Sequence, residues 1–153
     1  MIFIKARFDF KMRLFPSCEV YMSYFKPEMD IHDINKISML GLAHIGDSVY
    51  ELLVRTMLCT TGHQAVNDLH RQTVSYVNAP AQAKAAEKIL PSLTAEEQAV
   101  YKRGRNCKVN SVPHNATLSQ YHAATGIEAL FGWLYLKGEI ERIDGLFSLI
   151  MEE

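Results

Sequence analysis

Asp47 and Glu128 each interrupt an apolar run of helical period, and each run carries glycine: His44-Ile45-Gly46-Asp47-Ser48-Val49-Tyr50-Glu51 and Gly126-Ile127-Glu128-Ala129-Leu130-Phe131-Gly132. A carboxylate drawn out of water costs several kcal/mol unless it is paired or metal-bound. Any fold open to this chain must bring both runs into a core and still give both acids a partner. A cation shared by two carboxylates 81 positions apart meets that demand. So does an acid that caps a helix or pairs with an arginine such as Arg55 or Arg71. Spacing alone leaves the two answers level.

The 153 residues suffice for one domain with one core. A hydrophobic share of 48% and a charged share of 22% are those of an ordinary globular protein. No apolar stretch reaches the roughly 18–20 residues of a membrane helix, so no membrane partner is expected. Cys18, Cys59 and Cys107 are scattered and odd in number, which favours a reducing, cytoplasmic setting. Residues 1–30 read as an N-terminal extension ahead of a domain over 31–153. There Phe8, Phe10, Met12 and Leu14 alternate weakly with Asp9, Lys11 and Arg13, and Met12, Met22 and Met29 are alternative starts. The extension is basic but lacks the apolar stretch of a secretory signal.

The remainder predicts an all-α domain. Leu40, Leu42, Ile45, Val49, Leu52, Leu53 and Leu58 recur at helical spacing until Gly62. Asn67 and Asp68 are N-cap residues for a helix through about Tyr76, and Asn78 with Pro80 opens another that ends near Leu90-Pro91. Thr94 and Glu97 form a capping box for a helix that Gly104 and Asn106 should break, followed by a loop from Lys108 to Asn115. The longest apolar helix spans Thr117 to Leu136 and is closed by Gly138. An amphipathic helix then runs from Glu139 to about Met151.

Residues four apart share a helix face, so Asp47 and Glu51 lie one turn apart beside His44 and Ser48. On the late helix Tyr121, Ala124, Thr125, Glu128 and Phe131 form a stripe. Gly46, Ala123, Ala124, Gly126 and Gly132 would let the two helices approach closely. Mg²⁺ suits such a pair, because it takes one or two carboxylates and completes its octahedron with water and phosphate oxygens. A second constellation is basic. Lys102, Arg103, Arg105 and Lys108 fall within seven residues, and no acid occurs from Gln98 to Ile127 although the net charge is −1. With Asn106 and His114 these groups would suit phosphate and ribose contacts on RNA, whereas a solvated charge run is the plainer alternative. The pair His32-Asp33 is a bare dipeptide, and Cys107 has no base beside it. His44 and His122 read as hydrogen-bonded helix residues, and Trp133 reads as core.

The two acid-bearing runs resemble the signature helices of the ribonuclease III family. Asn67-Asp68-Leu69-His70, the cluster Lys102-Arg103-Gly104-Arg105-Asn106 and the loop through Pro113 to Asn115 are similar to its nuclease-domain-only bacterial subgroup, Mini-ribonuclease III. The resemblance covers roughly Leu40 to Met151. It implies an all-α, two-fold homodimer that cleaves double-stranded RNA with Mg²⁺, leaving 5′-phosphate and 3′-hydroxyl ends. The implied substrate is the precursor of large-subunit (23S) ribosomal RNA, with room for a ribosomal protein as a further partner. Asp47 and Glu128 match the family's catalytic, metal-holding acids. Larger members carry two more acids, where this chain has Ala43 and Thr125, as the subgroup does. No double-stranded-RNA-binding domain is expected after the last helix. The rival expectation is a non-catalytic RNA-binding or ribosome-associated module on the same fold, for which the missing acids are the best argument.

Overall fold

The computed structural model of the protein describes residues 23–62, 65–108 and 116–152. Its helices are α1 (Ile31–Ile34), α2 (Met39–Thr61), α3 (Val66–Val77), α4 (Ala79–Ile89), α5 (Ala95–Arg105), α6 (Leu118–Lys137) and α7 (Ile140–Met151), with a 3-10 turn at Leu90–Ser92. No strand occurs among the described residues, as the periodicity predicts. None of their helices is long and apolar enough to cross a membrane. The strand-like pattern of Phe8 to Leu14, Cys18, and nearly all of the expected loop up to Asn115 lie outside the described residues.

Side-chain caps set most helix starts. Asn78 serves two helices at once: its amide nitrogen donates to the Val74 and Ser75 carbonyls (2.9 and 3.0 Å), and its Oδ1 accepts from the Ala81 N–H at 2.9 Å. Thr94 with Glu97 and Thr117 with Gln120 form reciprocal capping boxes that open α5 and α6. Gly138, at φ 77°, closes α6 in the left-handed conformation that glycine adopts most easily. Two expected boundaries differ. The third helix starts at Val66 with Ala65 at its N-cap, so Asn67 and Asp68 lie inside its first turn. An acid there faces the positive end of the helix dipole, and Asp68 also pairs with Arg71 at 2.7 Å. Gly104 does not break α5, which continues to Arg105 and is closed by Asn106.

What Gly104 does instead becomes clear from the core. Helix α6 is buried around its whole circumference, as expected of a helix that is apolar on every side. It packs against α2, α4, α5 and α7, and glycines set its distance from two of them. A Cβ on Gly46 would sit 1.7 Å from the Glu128 carbonyl oxygen, and one on Gly132 would sit 2.0 Å from that of Leu42. Thus α2 and α6 meet backbone to backbone. Toward α5, a Cβ on Gly104 would fall 2.6 Å from the Ala129 Cβ. One on Gly126 would fall 2.7 Å from the Tyr101 ring. Gly126, expected to admit α2, therefore admits α5.

Around this centre, Tyr50 meets Phe131 and Phe147 edge-on with ring centroids 5.4 and 5.9 Å apart. Trp133 is buried, as expected, with the Lys137 ammonium 4.1 Å from its ring centroid. Arg142 of α7 reaches α5 through two bonds to the Glu97 carboxylate, at 2.8 and 2.9 Å. This pairing holds the Glu97 carboxyl below its ordinary pKa. Ahead of α1, Pro27 is buried and the Met29 N–H donates to the Leu136 carbonyl at 2.9 Å. That stretch is therefore docked on the C-terminal end of α6.

The backbone contact yields a prediction with an internal control. Gly46→Ala should destabilise the protein by about 3 kcal/mol or more, beyond ordinary overpacking, because backbone rather than a flexible side chain stands in the way. Gly145→Ala on α7, where nothing lies within 4 Å, should stabilise it by up to about 1 kcal/mol through helix propensity. Denaturant unfolding of both variants measures this, and equal effects would contradict the backbone-contact account.

Candidate active site

Because Gly46 sits against the backbone of Glu128, the neighbouring Asp47 is carried to the same place. Asp47 and Glu128 line one cleft of about 390 Å³. Helix α2 also contributes Ala43 and His44, α4 contributes Gln82, and α6 contributes Tyr121 and Thr125. The two acids differ in depth. Glu128 is half-buried, whereas Asp47 lies exposed at the mouth together with His44. The apolar run around Asp47 marks the helix as core but does not bury that position, since 3.6-residue periodicity leaves every helix an outward face.

Neither acid makes an ion pair among the described residues. The arginines that could have paired with Asp47 are engaged elsewhere: Arg55 Nε donates to Glu51 at 2.8 Å, and Arg71 pairs with Asp68. Burial raises the Asp47 pKa, Glu51 adds to the rise, and His44 opposes it. Burial pushes Glu128 up to about 7, helped by the charge of Asp47 and resisted by the Gln82 amide. A carboxylate that disfavours the ionisation of a deeper one, with neither of them ion-paired among the described residues, is an arrangement that an external cation would relieve.

The residues present fit a Mg²⁺ ion. The described residues hold no cluster of three or more histidine, cysteine or acidic groups. Mg²⁺ needs only one or two carboxylates and keeps water in its remaining positions. Ala43 and Thr125 do lie in this cleft, as the resemblance implies, but neither brings a carboxylate to it. The Thr125 hydroxyl is turned back to donate to the Tyr121 carbonyl at 3.1 Å.

Lys102, Arg103, Arg105, Asn106 and Lys108 are all exposed at the C-terminal end of α5. None of these four cations has an ion pair among the described residues. Gly104, inside the cluster, packs on Thr125, Gly126 and Ala129, so the cations flank the half of α6 that lines the cleft. His114 lies outside the described residues. Asp33, of the His32-Asp33 pair, is bound to Lys36 at 2.6 Å. The expectation of a hydrogen-bonded His122 fails at its Nδ1, which is buried without a partner among the described residues.

One cleft residue escapes the sequence reading. Gln82 is 1% exposed, on the same face of α4 as Ala85, Ala86 and Ile89. That spacing marks it as inward-facing, and a lone amide among alanines was the available signal.

The raised Glu128 pKa has a signed consequence. Between the ordinary value of 4.5 and about 7, the folded metal-free protein holds a proton that the unfolded chain has lost. This group's contribution to stability is therefore fullest below about 4.5 and is lost as pH rises through 7. In the metal-free protein, an NMR titration should place the Glu128 carboxyl near neutrality, and Asp47→Asn should lower it. An unchanged midpoint in that variant would show that the two acids do not interact.

The chain's likeness to known proteins agrees with this geometry. The family model for the ribonuclease III domain matches residues 40–139. The Mini-ribonuclease 3 of Thermoanaerobacter sp. (strain X514) is 45% identical over 116 residues, covering 76% of this chain and 82% of the relative. That of Synechocystis sp. is 35% identical, covering 91% of this chain and 94% of the relative. The crystal structure of a Fusobacterium nucleatum protein superposes with a TM-score of 0.71 at 31% identity, covering 78% of this chain and 95% of that one. With a matching domain across its two acid-bearing helices and full-length relatives at these identities, the chain belongs to the ribonuclease III family, in its Mini-ribonuclease 3 group.

Proposed function

We propose that the protein is a Mg²⁺-dependent endoribonuclease that cuts base-paired RNA at the cleft between α2 and α6, with precursor large-subunit (23S) ribosomal RNA as its substrate. The observation that carries this reading is the pair of carboxylates, Asp47 and Glu128, in one cleft and without an ion pair among the described residues, with an exposed basic cluster on the helix whose Gly104 packs against α6. Family membership makes the chain an endoribonuclease; metal, substrate and residue roles are this proposal's additions.

When bound, Mg²⁺ would supply positive charge to the scissile phosphate and make a bound water more acidic. Asp47, at the mouth, and Glu128, deeper in, would hold the ion. Attack of water on phosphorus then breaks the bond to the 3′ oxygen, which leaves a 3′-hydroxyl and a 5′-phosphate. Lys102, Arg103, Arg105 and Lys108, with Asn106 and His114, would hold the backbone of the duplex. With so few phosphate contacts, binding should be modest and strongly salt-dependent.

A two-fold homodimer belongs to the same proposal, since one copy has one cleft and a duplex has two strands. It is supported by apolar side chains left exposed on α2 and α3: Leu52 (62%), Val66 (80%) and Val74 (47%). The free thiols of Cys59 and Cys107 suit a cytoplasmic setting. A ribosomal protein as helper is compatible with the modest grip of the basic cluster.

Asp47→Asn and Glu128→Gln should each reduce cleavage of a base-paired RNA by at least ~100-fold while duplex binding persists, and a chelator should do the same to the unaltered protein. If all forms bind RNA and none cuts it with Mg²⁺ present, the rival non-catalytic RNA-binding module is the right reading. Replacing Arg103 and Arg105 by alanine should weaken binding and reduce the salt slope by about 2, near 0.9 for each lost phosphate contact. An unchanged slope would return the cluster to a solvated surface. Light scattering should give twice the mass of one chain, and a monomer would remove the two-site arrangement.

A further inference from the structure

Gln82 is the most deeply buried polar side chain of the cleft, 1% exposed; among the described residues neither its Nε2 nor its Oε1 completes a hydrogen bond, although the amide lies near enough to Glu128 to oppose the rise in its pKa. A primary amide can make up to four hydrogen bonds. One buried with none costs free energy that an apolar side chain of similar shape would avoid. Helix α4 could easily have supplied such a side chain, since the inward positions that follow are Ala85, Ala86 and Ile89. The amide is also not placed at random, because it lines the same cleft as Asp47 and Glu128. An ionised carboxylate only accepts hydrogen bonds, so beside one it is the amide nitrogen of Gln82 that can bond.

We propose that Gln82 is a positioning residue of the metal centre, whose Nε2 donates to the Glu128 carboxylate and holds it toward the cation. This rests on the reading of Asp47 and Glu128 as Mg²⁺ ligands. The amide is then the resting half of a bond that completes when Glu128 turns to hold the ion. Gln82 touches neither substrate nor ion, and it acts through Glu128 alone.

The test uses the full chain and Mg²⁺ alone, with thermal unfolding as the readout. In metal-free protein Gln82→Met should melt at or above the unaltered midpoint, because it removes an unsatisfied buried amide and keeps the volume. The same variant should need about 10- to 100-fold more Mg²⁺ for half of the metal-induced rise in midpoint, the usual effect of losing a hydrogen bond to a liganding group. Gln82→Asn, which keeps the amide but shortens its reach, should fall between the two. A metal-free Gln82→Met that melts several degrees lower, or fails to fold, would show the amide serving the fold itself and overturn the inference. So would a Mg²⁺ response equal to that of the unaltered protein. If the unaltered protein shows no Mg²⁺ response, the metal centre itself falls and this inference with it; that outcome is read before any variant is compared.

Discussion

The contact between the backbones of α2 and α6 is what the rest of the molecule depends on. Gly46 and Gly132 each face a carbonyl of the other helix at a distance that no side chain would allow. Such proximity places consecutive turns of the two helices in fixed correspondence. Asp47 follows Gly46 directly, and Glu128 supplies the carbonyl that Gly46 meets, so neither acid can leave the shared cleft without breaking the crossing. A second pair of glycines, Gly104 and Gly126, applies the same device to α5 and thereby locates the basic cluster. Four positions without side chains thus determine where the charged groups of both signs lie.

That arrangement carries a cost in the metal-free state. Glu128 is drawn up to about 7 by burial and by Asp47, and Gln82 is buried without a completed hydrogen bond among the described residues. Nothing in the fold requires either feature, since α6 is apolar around its circumference and α4 is lined with alanine. Of the buried side-chain atoms left without a hydrogen bond among the described residues, those of Gln82 lie in the cleft and His122 Nδ1 lies outside its lining; the concentration of unsatisfied charge and amide in one cleft supports the proposed cation site. The Glu97–Arg142 pair offers the contrast, a shielded acid fully engaged and serving to tie α5 to α7.

Much of the fold was legible in the residues because helix ends announce themselves when a side chain makes the cap. Asn78, the Thr94–Glu97 box and Gly138 are such cases. The start of α3 was not, because Ala65 caps without a side-chain bond and the more familiar Asn67 and Asp68 lie just inside. The role of Gly104 is hidden for a deeper reason. A glycine that breaks a helix and one that admits a neighbour look the same until the neighbour is known. Periodicity likewise reported that α2 is core but not that Asp47 lies on its outward side. Gln82 leaves a fainter trace, a lone amide on the alanine-lined inward face of α4, and its lack of a completed hydrogen bond is visible only in the fold. The position of the cations relative to α6 depends on how α5 crosses it, which no local pattern encodes.

The central claim is that the α2–α6 crossing exists to hold a divalent cation between two carboxylates. A crystal of the protein grown with Mn²⁺ in place of Mg²⁺ tests it most directly through anomalous scattering. The account predicts a peak in the cleft within coordinating reach of both the Asp47 and the Glu128 carboxylates. A cleft without a peak at saturating Mn²⁺, or an ion held by other residues, would contradict it.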